Sequence, residues 1–226
     1  MDTDVLIFTK NRAAQLDLLL RSIERYAPRL YRSVTVLAYP TTAEYALAYV
    51  VGRREWVDRF WTQSKPEDFE TLTREWFDLH DRRVSFLVDD AVFYRPAPRL
   101  RQVTPPFSLR GGDYDYPFSL DGNIYERAHV RLLLDDMPPF RNPSELEAFG
   151  HELRHLLPFD FVNPCQPACL VGIPANRVSE SSGMPHMGID EKELNDDFLD
   201  GMRLALPDID RDLPAHAYIS YDRMVR

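Results

Sequence analysis

Residues Val84 to Phe93 read VSFLVDDAVF. Four of the first five residues are apolar, which is the pattern of a buried strand, and the run stops abruptly at Asp89 and Asp90. Two adjacent carboxylates at the end of a buried strand are costly to desolvate. A divalent cation together with phosphate oxygens would offset their repulsion. In open α/β sheets ligands sit at the carboxyl ends of the strands, which is where this pair stands. The alternative is a strand that simply runs into a solvated acidic turn.

Upstream, the chain alternates between strand and helix patterns. Asp4 to Thr9 (DVLIFT) reads as a first buried strand and runs into Lys10-Asn11-Arg12; Leu16, Leu19, Leu20, Ile23 and Tyr26 then recur at helical spacing until Pro28. Ser33 to Tyr39 is a β-branched second strand, and Thr41 or Thr42 can cap a helix over roughly 43–51. Arg59 to Thr62 reads as a short third strand, and in the helix expected over 67–79 Phe69, Leu72, Trp76 and Leu79 share one face. Three β-α units before the acidic pair predict a mostly parallel sheet with helices on both faces and right-handed crossovers. No GxGxxG follows the first strand and no GxxxxGK[ST] occurs anywhere, so neither of the glycine-rich phosphate cradles is available. A metal on Asp89 and Asp90, with Lys10 or Arg12 nearby, would hold phosphate instead.

Downstream, 95–112 is rich in Pro and Arg and reads as an extended loop. Its Arg95, Arg99, Arg101 and Arg110 either neutralise phosphates or an acidic acceptor, or are simply solvated. The stretch from Tyr116 to Met137 outlines a turn at Asp121-Gly122 and then a helix with Ile124, Ala128, Leu132 and Leu133 facing inward. In FRNPSELEAF (Phe140 to Phe149), Asn142-Pro143 or Ser144 opens a helix with Glu145 in its first turn and Glu147 just beyond. Acids there are also favoured by the helix dipole alone. CLVGIPANRV reads as a strand entering a turn, SESSGMPHMG as a polar loop, and Glu191 to Leu204 as an amphipathic helix.

With 226 residues, 44% of them hydrophobic, the chain can bury one large core, so a single domain is expected. Within it, 1–95, up to the acidic pair, and 96–226 are expected as two halves of the same domain. A net charge of -9 argues against nucleic acid as a partner. No apolar run approaches the ~20 residues that span a bilayer, and the N-terminus MDTDVLIFTKN lacks a leader pattern, so the expected compartment is the cytoplasm. Cys165 and Cys169 read as ordinary thiols. A homodimer is left open.

The opening DVLIFTKNR, the three β-α repeats and a strand ending FLVDDAVF near residue 90 together resemble the GT-A fold nucleotide-sugar glycosyltransferases, especially the family-2-like bacterial type. That resemblance implies a metal-dependent hexosyltransferase that moves a sugar from a nucleoside-diphosphate sugar, a UDP-sugar favoured, to a carbohydrate or other hydroxyl acceptor. It implies Mn²⁺ or Mg²⁺ at a DXD-type motif, with Asp90 as the direct ligand and Asp89 facing ribose or base, although VDDA is not a spaced DXD. By position, Thr9, Lys10, Asn11 and Arg12 would border the nucleotide, and Asp121, Asn123 and Arg127 would approach donor sugar and acceptor. Glu147, with Glu145 as runner-up, is nominated as the general base of an inverting reaction; the chain has SELE where the family usually has an ED-like motif. His186 in the polar loop is the candidate for a further metal ligand. The likeness covers 4 to about 150 and is poor beyond. A retaining mechanism, which would not need the base, stays open. So does a reading from another class, a GT-A-like module that binds nucleotide sugar or a partner without catalysis. A nucleotidyltransferase would share sheet and metal but usually carries a glycine-rich basic loop after the first strand, and TKNRAAQL has no glycine.

Overall fold

Both faces of the strand DVLIFT are apolar, and it accordingly sits in the middle of the sheet. In the computed structural model, which describes residues 3–97, 107–108, 116–158, 161–162, 168–176, 187–209 and 224–225, strand β1 (Thr3–Lys10) is flanked by β2 (Ser33–Tyr39) and β4 (Arg83–Val88). Beyond β2 lies β3 (Arg59–Thr62), and all of these pairs are parallel. The connections are α1 (Ala13–Tyr26), α2 (Ala43–Val51) and α3 (Asp68–Leu79). The chain is therefore a mixed α/β structure with a mostly parallel central sheet flanked by helices.

The alternation of side chains along a strand sorts the core into two layers. Val5 and Ile7 of β1 join Leu16, Leu19 and Ile23 of α1 on one face, whereas Leu6 and Phe8 meet Phe69, Trp76 and Phe77 of α3 on the other. All of these are buried, each worth about 1.5–3 kcal/mol relative to exposure. In the second layer Phe8 stacks on Phe86 with ring centroids 6.1 Å apart. Each layer draws on residues from both sides of position 95.

After β4, Asp89 and Asp90 form a turn into β5 (Ala91–Phe93), and β6 (Phe107–Ser108) follows. The strand β7 (Ile124–Tyr125) closes the sheet antiparallel to β4, giving the order β3-β2-β1-β4-β7. Next come α4 (Arg127–Asp136), α5 (Pro143–Glu152) and a 3-10 turn at Leu153–Leu156. Strand β8 (Phe161–Val162) pairs with β6, and β9 (Leu170–Gly172) pairs antiparallel with β5. The chain ends with α6 (Glu191–Leu199), β10 (Arg203–Leu204) and β11 (Met224–Val225), the last two paired with each other.

The expected starts of α2 and α5 hold for the expected reason: Thr42 Oγ1 accepts the Tyr45 N–H, and Asn142 Oδ1 accepts the Glu145 N–H at 2.9 Å with Pro143 next in line. Three expectations are corrected. The helix from Glu191 stops at Leu199 rather than at Leu204, because Gly201 turns the chain with φ +90° and Arg203–Leu204 goes into a strand. In α3 it is Phe77, not Leu79, that is buried with Phe69 and Trp76. In the Ile124–Leu133 stretch, Ile124 belongs to β7, Ala128 and Leu132 are exposed, and Val130, Leu133 and Leu134 face inward. Val130, Leu133, Leu134 and Met137 recur at i, i+3, i+4 and i+7, so the buried face follows the helical period once it is counted from Val130 rather than Ile124.

Among the described residues no helix is long and apolar enough to cross a membrane.

Candidate active site

Register places the acidic pair. Phe8 of β1 is paired with Val88 of β4, so the last residues of β1, Thr9 and Lys10, and Asn11-Arg12 after them lie beside Asp89-Asp90 at the carboxyl ends of two adjacent parallel strands. The Arg12 guanidinium reaches across the gap. Its Nη1 donates to Asp89 Oδ1 at 3.0 Å and lies 3.8 Å from Asp90 Oδ2, and its Nη2 donates to the backbone carbonyl of Asn176. Desolvation alone would lower the Arg12 pKa, but the two aspartates raise it, so the guanidinium stays charged.

The two aspartates differ. Asp89 is 3% exposed and closely paired with Arg12, whereas the Asp90 side chain keeps 24% of its surface. Burial, then the Asp89 charge, pushes the Asp90 carboxyl up to about 7; Arg12 opposes this and Asp121 adds to it. Asp89, Asp90 and Asp121 thus act on one another electrostatically beside Arg12, and of the adjacent pair Asp90 is the less compensated. The Ile173 N–H donates to the Asp90 carbonyl at 2.7 Å, which ties the turn to the segment after β9.

The residues after β1 are held rather than free. Asn11 has φ 57°, a left-handed conformation that Asn tolerates better than most residues. Its side chain accepts the Thr41 N–H and donates to Thr41 Oγ1 and Glu191 Oε1, each at 2.8 Å. Thr9 is buried and shares a 2.8 Å hydrogen bond with the Tyr49 hydroxyl, which also accepts the Arg12 N–H at 3.0 Å. Gln15 Nε2 donates to Asn176 Oδ1 at 2.9 Å. Lys10 is the exposed member, its Nζ 5.9 Å from the Tyr39 ring centre. Of the four residues expected to border the nucleotide, Thr9, Asn11 and Arg12 shape the rim, and Lys10 faces outward from it.

On the other side of the acidic pair, the chain turns at 119–122. Gly122, with φ +80°, donates its N–H to the Phe86 carbonyl, and a Cβ there would meet Leu170 at 2.9 Å and Leu87 at 3.1 Å. Only glycine lets this turn lie on β4. Glu147 of α5 accepts the Leu120 N–H at 2.9 Å and so fixes the turn that carries Asp121. Glu145 has local partners: it accepts from the Arg141 N–H at 2.7 Å and from the Arg141 guanidinium at 3.1 Å, and these bonds keep its carboxyl below the usual range despite the larger opposing effect of burial. Asn123 donates to Ser119 Oγ at 3.1 Å. Arg127 lies over the Phe77 ring at 4.7 Å and 3.8 Å from Asp78, so its contacts are with α3.

Thus Asp89, Asp90, Asp121, Arg12 and the rim residues come together, with Glu147 bound to the neighbouring turn. Glu145 and Arg127 serve local packing. His186, Arg99, Arg101, Arg110 and Cys165 lie outside the described residues, while Cys169 is buried. The sequence reading missed Tyr49 and Glu191, because nothing in their spacing couples them to residues more than thirty positions away, and Gln15, whose partner Asn176 is 161 residues distant.

Among the described residues no group of three His, Cys, Asp or Glu side chains is arranged to hold a metal by itself. The donor chemistry suits a magnesium- or manganese-like ion, which is commonly held through one or two carboxylates and completed by phosphate and water oxygens. Asp90 would be the ligand and Asp89 its oriented neighbour.

No protein-family model matches the chain, and no curated protein matches it. Among solved structures, a crystal structure of S. aureus TarS covering residues 1–349 is similar with a TM-score of 0.49 and 16% identity, over 75% of this chain and 60% of that one. This chain therefore spans less than two thirds of that neighbour, and nothing about chemistry follows from a likeness at this level.

Proposed function

We propose that the protein is a metal-dependent glycosyltransferase that moves a sugar from a nucleoside-diphosphate sugar, a UDP-sugar favoured, to a hydroxyl acceptor. The observation that carries this reading is the partly exposed, undercompensated Asp90 at the carboxyl end of β4, beside an Asp89 already neutralised by Arg12. A half-buried acid raised to about 7 is a costly arrangement. A cation with a diphosphate would relieve it, and carboxyls perturbed by desolvation and a neighbouring charge are candidates for functional groups.

Bound there, a divalent cation would draw off the negative charge that develops on the departing diphosphate. The protein's own part is positional. Arg12 holds the Asp89 carboxyl in place, so that Asp90 is the carboxylate turned toward the ligand. Thr9, Asn11, Thr41 and Tyr49 hold the rim against which the nucleotide lies, and Lys10 supplies a positive charge at its outer side. The Gly122 turn, packed on β4 against Leu87 and Leu170, sets the position of Asp121 beside the pair. Glu147, oriented by the Leu120 N–H, is the carboxylate on the acceptor side; in an inverting reaction it takes the acceptor hydroxyl proton as that oxygen attacks.

The test is incubation with Mn²⁺ and a panel of sugar nucleotides and hydroxyl acceptors, with release of nucleoside diphosphate as the readout. Turnover that Asp90→Ala abolishes supports the proposal. Nucleotide-sugar binding without turnover over a broad acceptor panel would favour the non-catalytic module instead.

A further inference from the structure

The acceptor side carries an aromatic surface for which neither the metal nor the donor accounts. Tyr116 lies three residues before the 119–122 turn begins and is 37% exposed. One face of its ring is backed by His151, with centroids 4.2 Å apart and planes inclined by 20°. His151 lies one helical turn after Glu147 on α5, so the two project from the same side of that helix. Burial raises the Tyr116 phenol to about 12, and the next causes are the charges of Glu147 and Asp121. An aromatic ring fixed from behind thus stands beside two carboxylates of the candidate site.

We infer that the outward face of Tyr116 is a platform for a pyranose ring of the acceptor. A pyranose has an apolar face of axial C–H groups and an equatorial edge of hydroxyls. Against a rigid aromatic ring the C–H face loses water without leaving a polar group unpaired, and the hydroxyl edge keeps its hydrogen bonds with neighbouring carboxylates. Tyrosine suits this task because it offers a large contact area with only two side-chain torsions to immobilise. His151 removes part of even that freedom by packing on the ring. This reading selects a carbohydrate from among hydroxyl acceptors and rests on the glycosyltransferase proposal only for the direction in which the sugar's hydroxyl points.

The test is saturation-transfer NMR on the full chain with methyl β-D-glucopyranoside and methyl β-D-galactopyranoside as probes. Strongest saturation is expected on the axial protons of the stacked face, at H1, H3 and H5. Tyr116→Phe keeps the ring and is expected to keep the signal. Tyr116→Ala is expected to weaken binding by about tenfold, corresponding to about 1.4 kcal/mol. His151→Ala, which leaves Tyr116 in place without its backing, is expected to fall between the two, and it tests the platform even if Tyr116→Ala misfolds. No saturation of either glycoside by the unmodified chain, or equal saturation in the Tyr116→Ala and His151→Ala variants, overturns the inference. Binding of Mn²⁺ and release of nucleotide are measured separately. Tyr116-dependent sugar binding without either would overturn the transferase reading and leave the platform standing; nucleotide release without such binding would do the reverse.

Discussion

Asp90→Asn should make the protein more stable while removing its capacity to bind a divalent cation. The Asp90 carboxyl is raised from 3.8 to about 7, first by burial and next by the Asp89 charge. At about 1.36 kcal/mol per pKa unit, a shift of that size would cost roughly 4 kcal/mol once the group is fully ionised. With 24% of the side chain still exposed, solvent screening brings a realistic figure to about 2 kcal/mol. The sign follows from proton binding. Between pH 3.8 and about 7 the folded chain holds the Asp90 proton more tightly than the unfolded chain. Ionisation therefore erodes stability as pH rises through this window, and the cost is fully present above it. Asparagine escapes that cost. At pH 8 the variant should melt about 4–8 °C higher, using about 2–4 °C per kcal/mol for a chain of this size. The gain should shrink steadily on acidification and vanish near pH 4. Thermal unfolding followed by circular dichroism over this pH range measures it. Added Mn²⁺ at pH 8 should raise the melting temperature of the unmodified chain and leave Asp90→Asn unmoved. A variant no more stable than its parent at pH 8, or equally stabilised at both ends of the range, would refute the electrostatic account of the pair.

Arg12→Met should destabilise the fold by about 3–5 kcal/mol at pH 8, since it leaves the nearly buried Asp89 unpaired; urea titration measures this, and Mn²⁺ should restore part of the loss. Gly150→Ala should lower stability even though alanine is favoured in helices by about 1 kcal/mol, because the new Cβ would meet the buried Phe118 ring at 2.1 Å. Pairing it with Phe118→Leu should recover much of the loss in a double-mutant cycle. Glu147→Gln should cut the turnover number about 10²–10⁴-fold with little change in the donor KM, whereas Glu145→Gln should cost well under tenfold, which steady-state kinetics separates.

Much of this site is legible in the sequence because its parts are local. A buried strand must stop where two acids follow it, so the position of Asp89 and Asp90 at a strand end follows from hydrophobicity alone. The Asp121-Gly122 turn and the Asn142 cap are likewise short-range, and each appears where turn and cap chemistry put it. The β7 strand shows the limit. Two residues, Ile124 and Tyr125, carry no periodicity of their own, and only the free edge of β4 makes them a strand.

The sequence by itself determined the alternation of strands and helices, the apolar centre of the sheet and the acidic pair at its edge, because these depend on neighbours a few residues apart. Tertiary structure decided the division of labour among the charged groups. Lys10 or Arg12 was expected near phosphate; Arg12 crosses to Asp89 and to the Asn176 carbonyl 164 residues away, which leaves Asp90 as the more exposed of the two acids. The charge state of a carboxylate depends on its burial and on which guanidinium reaches it, and both are set only once distant segments of chain meet.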